Sequence, residues 1–163
     1  MINLPTIVRD CGGCTACCKT HIEVSMKTRG GDYCDFCQVG QGCSIYETRP
    51  FACQMYRCLW VCGKGEESDR PDRLKIVMDL KGIDDFQGKE MVALNFWEVA
   101  EGAIDQQRVQ DIMKVNLAAG NVVVHRPYGG EPTYYFPRGM FSLEQQRLFI
   151  ETMESDPGPL LTK

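Results

Sequence analysis

All ten cysteines of this 163-residue chain fall between Cys11 and Cys62, and everything after Cys62 contains none. That asymmetry divides the chain into a cysteine-rich part, residues 1–64, and a body, residues 65–163, expected to pack with it as one unit. In the first part apolar residues follow no sustained period, and Gly30-Gly31-Asp32 and Gly40-Gln41-Gly42 interrupt it. Loops and short turns of this kind bury too little apolar surface to offset the entropy of ordering them, unless cross-links or metal help.

Disulfides and metal are the two ways to supply that help, and compartment decides between them. Met1–Asp10 shows no basic segment followed by an apolar run, so no secretion signal is read there. Nor does any stretch approach the roughly 20 apolar residues of a membrane helix. The expected location is cytoplasmic, where thiols stay reduced and clustered cysteines point to metal; an export route would restore the disulfide reading.

The spacing supports metal. Cys11-Gly-Gly-Cys14-Thr-Ala-Cys17-Cys18 holds two overlapping C-x-x-C units, and Cys34-Asp-Phe-Cys37 is a third. Two intervening residues let a tight turn aim both sulfurs at one tetrahedral ion, and glycine eases a turn that needs positive φ. Adjacent Cys17 and Cys18 point in different directions, so they serve different metals or one bridges two. One four-cysteine site would leave six free thiols, whereas two use eight and a bridged cluster nine. The expected ligands are Cys11, Cys14, Cys17, Cys18, Cys34, Cys37, Cys43, Cys53 and Cys58. Cys62 follows the apolar Leu59-Trp60-Val61 and reads as a spare, core-seeking thiol. His21 is an alternative ligand, though abundant sulfur makes a surface role the simpler reading.

Cys11-x2-Cys14-x2-Cys17-Cys18, then Gly42-Cys43-Ser-Ile-Tyr46-Glu-Thr-Arg49-Pro50 and Cys53-x4-Cys58, resembles the CxxCxxCC zinc- or iron-chelating domain family, also called YkgJ-like, over residues 9–62. The resemblance implies metal chelation by these cysteines in bacterial proteins. Some members are associated with flagellin lysine methylation, and nothing further in the chain carries that activity over. Cys34-x-x-Cys37 and Cys62 go beyond the minimal family pattern.

The expected metal is zinc, two or more ions per chain, with iron or an iron–sulfur cluster as the alternative. Bacterial ferredoxin spacing shares only the first three cysteines and departs at Cys18. Arg49 and Arg57 flank the second cysteine group, either donating N–H bonds to metal-bound sulfur or lying on the surface, where Glu47 is in reach. Tyr46 and Tyr56 read as packing residues over the metal loops.

The body is expected to be α+β: a small antiparallel sheet with two helices on one face, in the order ββαββα. Leu74, Ile76, Met78 and Leu80 alternate with Lys75, Val77, Asp79 and Lys81 as a half-buried strand does, and Val92, Leu94 and Phe96 give a second. Val109, Ile112, Met113 and Leu117 form a helical stripe that Gly120 would end. Val122–Arg126 and Thr133–Phe136 read as a hairpin, and Ser142-Leu-Glu-Gln145 as a capping box opening a helix to about Met153. Residues 63–73 read as a polar connector, and Pro157 and Pro159 end any helix.

Other functions find little support. Residues 1–64 carry seven Lys/Arg against five Asp/Glu and residues 65–163 eleven against seventeen, so no basic stripe suits nucleic acid. Gly12-Gly13 and Gly129-Gly130 lack the context of a phosphate loop, and no H-E-x-x-H is present. Closed thiolate sites are structural more often than catalytic, so the reading leans away from an enzyme. Its partners are a metal ion and an unidentified protein. An iron–sulfur redox or enzyme-accessory protein, and a protein that hands metal on, are the alternatives. His125 and the aromatics Trp97, Tyr128, Tyr134, Tyr135 and Phe136 read as structural.

Overall fold

Backbone conformation at Lys75 sets where the sheet begins. In the computed structural model, which describes residues 6–20 and 31–155, Lys75 takes φ 59° and closes the short helix Pro71–Leu74. The strand predicted from Leu74 therefore starts at Ile76. Its elements in chain order are α1 Cys17–Thr20, β1 Cys37–Gln38, β2 Gly42–Cys43, α2 Phe51–Met55, α3 Pro71–Leu74, β3 Ile76–Phe86, β4 Lys89–Glu98, α4 Gln107–Ala118, β5 Val122–Arg126, β6 Thr133–Tyr135 and α5 Leu143–Ser155. The fold is mixed α/β, with a two-stranded antiparallel pair and a four-stranded sheet of order β3-β4-β5-β6.

β3 and β4 are longer than the sequence reading made them because they form one hairpin. Phe86 faces Lys89 across Gln87 and Gly88, both at positive φ (54° and 80°), the conformation whose twist matches two antiparallel strands. The Gly88 N–H also donates to Asp85 Oδ1 at 2.7 Å.

The expectation of an antiparallel sheet with helices on one face is corrected in two respects. β4 and β5 run parallel, Ala93 opposite Val122 through Trp97 opposite Arg126. A parallel pair needs a crossover of about a dozen residues or more, and the segment carrying α4 supplies it. The helices also lie on opposite faces. Val122, Val123 and Val124 are all completely buried, the continuous apolar run of a strand covered on both sides. On one face Ile76, Met78, Leu94, Phe96 and Val123 meet Val109 and Met113 of α4. On the other, Ile83, Phe86, Ala93, Val122 and Val124 meet Phe149 and Met153 of α5. Phe149 sits edge-on to Phe86, Phe136 and Phe141 at centroid distances of 5.3, 5.6 and 6.0 Å.

Local signals placed both helix ends. Ser142 and Gln145 exchange the two bonds of a capping box (2.9 and 3.2 Å), and Gly120, at φ 90°, follows the end of α4. Beyond α5's end at Ser155 the tail prolines lie outside the described residues. Among the described residues no helix is long and apolar enough to cross a membrane.

The segment read as a polar connector is anchored rather than free. Asp69 has a fully buried side chain that accepts from Glu66 N at 2.8 Å and takes a two-pronged contact from Arg108 of α4, with Nε–Oδ1 at 2.8 Å. Arg108's hydrogen bonds hold the Asp69 carboxyl below its ordinary 3.8. As pH falls, the unfolded chain therefore takes up this proton before the folded one. The stabilisation is complete above about pH 5 and is lost as pH drops through the depressed folded value. Asp69→Asn is expected to cost about 2 kcal/mol in urea melts at neutral pH. The difference from wild type should shrink when the melts are repeated near pH 3.

Candidate metal centre

The cysteine lobe packs where α5 leaves the sheet uncovered. Val77 and Val99 are buried there against Ala16, with Cys14, Tyr56, Cys58 and Trp97 around them. Leu59 N donates to Met78 O at 2.8 Å on β3, and Val8 N and Arg9 N donate to Val61 O at 2.8 and 3.0 Å. The end of the lobe is thus tied to β3, and its start to its own end.

Two of the three C-x-x-C units, the first and the last, close as tight turns. Cys14 N donates to Cys11 O at 3.0 Å, with Gly12 at φ 54°, and Cys37 N donates to Cys34 O at 2.8 Å. Gly13 has a different reason to be glycine: a Cβ there would lie 2.4 Å from Gly40 O. The tip of the β1–β2 hairpin presses directly on the first loop. Buried Thr15 holds it there, its Oγ1 accepting from Gly40 N at 3.2 Å. In the hairpin Cys37 lies opposite Cys43, and Cys34 N reaches back to Cys18 O at 3.0 Å.

The expected ligands fall into two neighbouring groups. Cys11, Cys14, Cys17 and Cys58 line one cavity of about 20 Å³, walled otherwise by Trp60, Val61, Pro71 and Val77. That is room for a single small particle. Cys18, Cys34, Cys37 and Cys43 gather around the hairpin, and the Cys18 thiol is hydrogen-bonded to both Cys17 and Cys37, where the groups meet. Cys53 lies on α2, half-buried. Cys62 is half-buried and belongs to none of the three apolar clusters, so it is not the core thiol the sequence suggested. His21 lies outside the described residues. All ten cysteines are free thiols, and among the described residues no three Cys, His, Asp or Glu side chains stand close enough to grip an ion as they are.

Six of the thiols are raised above the ordinary value. Burial raises Cys11, Cys14 and Cys62, and pushes Cys37 and Cys58 up to about 11; Cys18 is raised first by its hydrogen bond to Cys17. A cation has to supply what water does not. The positive charges of Arg49 and Arg70 both partly offset the rise at Cys11. Arg70 is held by Asp72 through two bonds of 2.7 Å. Arg57, expected beside the sulfurs, gives its Nη1 to the carbonyls of Gln54 and Tyr56 at 2.6 and 2.8 Å.

Sequence reasoning missed Asp79. It lies on the same face of β3 as Val77, under the lobe, and its carboxylate accepts from Tyr56 Oη (2.9 Å), Trp97 Nε1 (2.9 Å) and Asn95 Nδ2 (2.8 Å). Arg126 closes the cluster, donating to Asn95 Oδ1 at 3.0 Å and stacking 4.6 Å above Trp97. The signal was an acidic residue at an inward position of an alternating strand. His125 is structural, as read: it lies 3.7 Å from buried Glu98, which accepts from Ile104 N and Tyr128 N at 2.9 Å each. Of the aromatics, Trp97 covers the lobe contact and Tyr134 and Phe136 pack with α5, while Tyr128 and Tyr135 are exposed. A larger groove of about 490 Å³ on the α4 face, floored by Leu59, Met78 and Leu94, has no cysteine in its lining.

Comparison with family models, with curated proteins and with solved structures gave no match.

The Asp79 cluster is the polar half of the lobe–sheet junction, and its removal should loosen that junction first. Asp79→Ala leaves Tyr56, Trp97 and Asn95 donors without an acceptor and is expected to cost about 3 kcal/mol. Tyr56→Phe, which deletes a single bond, should cost about 1 kcal/mol. Limited proteolysis provides the check: Asp79→Ala should be cut earlier in the lobe while the body persists.

Proposed function

We propose that this protein binds zinc through its cysteine lobe, and that the metal is mainly structural. The observation that carries the reading is the cavity of about 20 Å³ lined by Cys11, Cys14, Cys17 and Cys58. Its size suits one ion, and its four donors are the soft thiolates that zinc favours in closed tetrahedral sites. Cys18, Cys34, Cys37 and Cys43, with Cys53, are the donors for a second ion. The likeness of residues 9–62 to the CxxCxxCC chelating family supports the same assignment.

Energetics point the same way. Among its described residues the lobe buries three apolar side chains, Ala16, Trp60 and Val61, whereas Ile7, Val8, Phe36, Val39, Tyr46 and Phe51 are exposed. So small a core does not order some fifty residues. Zinc binding by clustered thiolates supplies folding free energy, on the order of 10 kcal/mol per structural ion at neutral pH. The cofactor is therefore zinc, the partner implied by the site is the ion itself, and the body offers the surface for a protein partner.

Elemental mass spectrometry on protein purified without added metal or chelator tests this directly. About two zinc per chain and no visible colour are expected for two closed thiolate sites. Brown protein with acid-labile sulfide would replace zinc by an iron–sulfur centre, and metal-free, fully folded protein would end the proposal. Cys14→Ser should lose about one ion, whereas Cys62→Ser should keep the full complement. Chelation should expose the lobe to protease and leave the body's helical signal largely in place.

A further inference from the structure

Among the described residues, the arginines around the lobe find acceptors, with one exception. Arg9 donates to the carbonyls of Trp60, Lys64 and Gly65, Arg57 to those of Gln54 and Tyr56, and Arg70 to Asp72. Arg49 is different: its Nε is buried and has no hydrogen-bond acceptor. Two other buried side-chain atoms among the described residues share that condition, His125 Nε2 and Tyr134 Oη, and both belong to the body.

Arg49 is also held stiffly. Its guanidinium stacks 3.7 Å above the Tyr46 ring. Its backbone opens α2: Arg49 O accepts from Gln54 Nε2 at 2.7 Å, and Pro50 O accepts from Gln54 N at 3.0 Å. A long side chain clamped at both ends with a buried, unused donor is a costly arrangement unless an acceptor arrives. In the chain it stands between Cys43 and Cys53, two of the expected ligands. A protonated thiol is a poor acceptor. A metal-bound thiolate is a good one, and two zinc ions held by eight thiolates leave roughly −4 to be offset.

We infer that Arg49 is a positioning residue of the cysteine lobe, its Nε–H donating to a ligand thiolate once metal is bound. This rests on the lobe being a metal centre. Arg49 touches no metal; it lowers the energy of a sulfur that does, and Tyr46 keeps its plane in place. Arg57, the other candidate from the sequence, gives its Nη1 to two backbone carbonyls and has no buried, unpartnered N–H among the described residues.

The test uses the full chain, with zinc and cobalt(II) as probes, in wild type, Arg49→Gln, Arg49→Lys and the control Arg57→Gln. Competition with a chromogenic chelator should show zinc held about 10–100-fold more weakly in Arg49→Gln and unchanged in Arg57→Gln. The sulfur-to-cobalt charge-transfer band should move to lower energy in Arg49→Gln, because an unbonded thiolate gives up its electron more easily. Arg49→Lys keeps the charge but not the fixed N–H, so it should recover part of the affinity while its band stays shifted. This second variant keeps the question open to disproof if Arg49→Gln misfolds. Equal zinc affinity and superimposable cobalt spectra in wild type and both Arg49 variants would overturn the inference and leave the metal centre standing. If wild type itself takes up neither ion, the metal centre falls, and this role with it.

Discussion

A thiolate in water is stable, and a group of thiolates out of water is not; the organisation of this protein turns on that constraint. The lobe draws its cysteines into loops where burial raises the thiols, Cys37 and Cys58 to about 11. In that state they are small, weakly polar side chains that add little to a core of three buried apolar residues among those described. With a divalent cation at their centre the same side chains become a cross-link between chain segments distant in sequence. Cys58 lies more than forty residues from Cys11 and lines the same cavity.

The sheet is arranged to receive such a lobe. An apolar strand covered on both sides asks for two layers of partners, and α4 covers Ile76, Met78, Leu94 and Phe96 on one of them, beside the groove of about 490 Å³. On the other face α5 covers only the end around Ile83, Phe86 and Phe149. The lobe covers the end around Val77 and Val99. Apolar contact alone would leave this second junction without a fixed register. Asp79 supplies one, because Tyr56 from the lobe and Asn95 and Trp97 from β4 must all reach the same carboxylate. The junction is therefore directional on its polar side and permissive on its apolar side.

What the sequence made legible follows the range of the physics. The capping box at Ser142 and Gln145, the glycine ending α4 and the turns of two C-x-x-C units are interactions within a few residues, and they form. The β3–β4 hairpin was missed because its turn is Gln87-Gly88, and glutamine is an uncommon residue at positive φ. The parallel pairing of β4 with β5 and the split of the helices between two faces depend on long-range closure, for which Val122-Val123-Val124 was the available hint. In the lobe, spacing identified the cysteines as a set but not their neighbours. Cys58 joins the first loop only because Leu59 is pinned to Met78 and Val61 to Val8. Arg49 and Arg57 were indistinguishable in sequence; carbonyls within reach occupy one and not the buried Nε of the other.

Exposure is graded around the four-cysteine cavity, and the gradient bears on what an ion there could do. Cys14, Cys17 and Cys58 are half-buried against Val77, Trp60 and Val61, whereas Cys11 is exposed. An ion in this cavity would have three ligands set in a packed wall and one facing solvent. Two of them, Cys14 and Cys58, pack with Val77 on the sheet, beside Tyr56, which bonds Asp79. Cys11 sits in a loop whose closest restraint is a single turn bond to Cys14. Any exchange of the ion with solvent or with a partner's thiol would therefore begin at Cys11. Arg49 and Arg70, whose charges both act on that sulfur, oppose such exchange by favouring the thiolate in place. Of the four cysteines that line the cavity, Cys14 and Cys58 are packed into the lobe–sheet junction and Cys11 is exposed, an asymmetry that any bound ion would inherit.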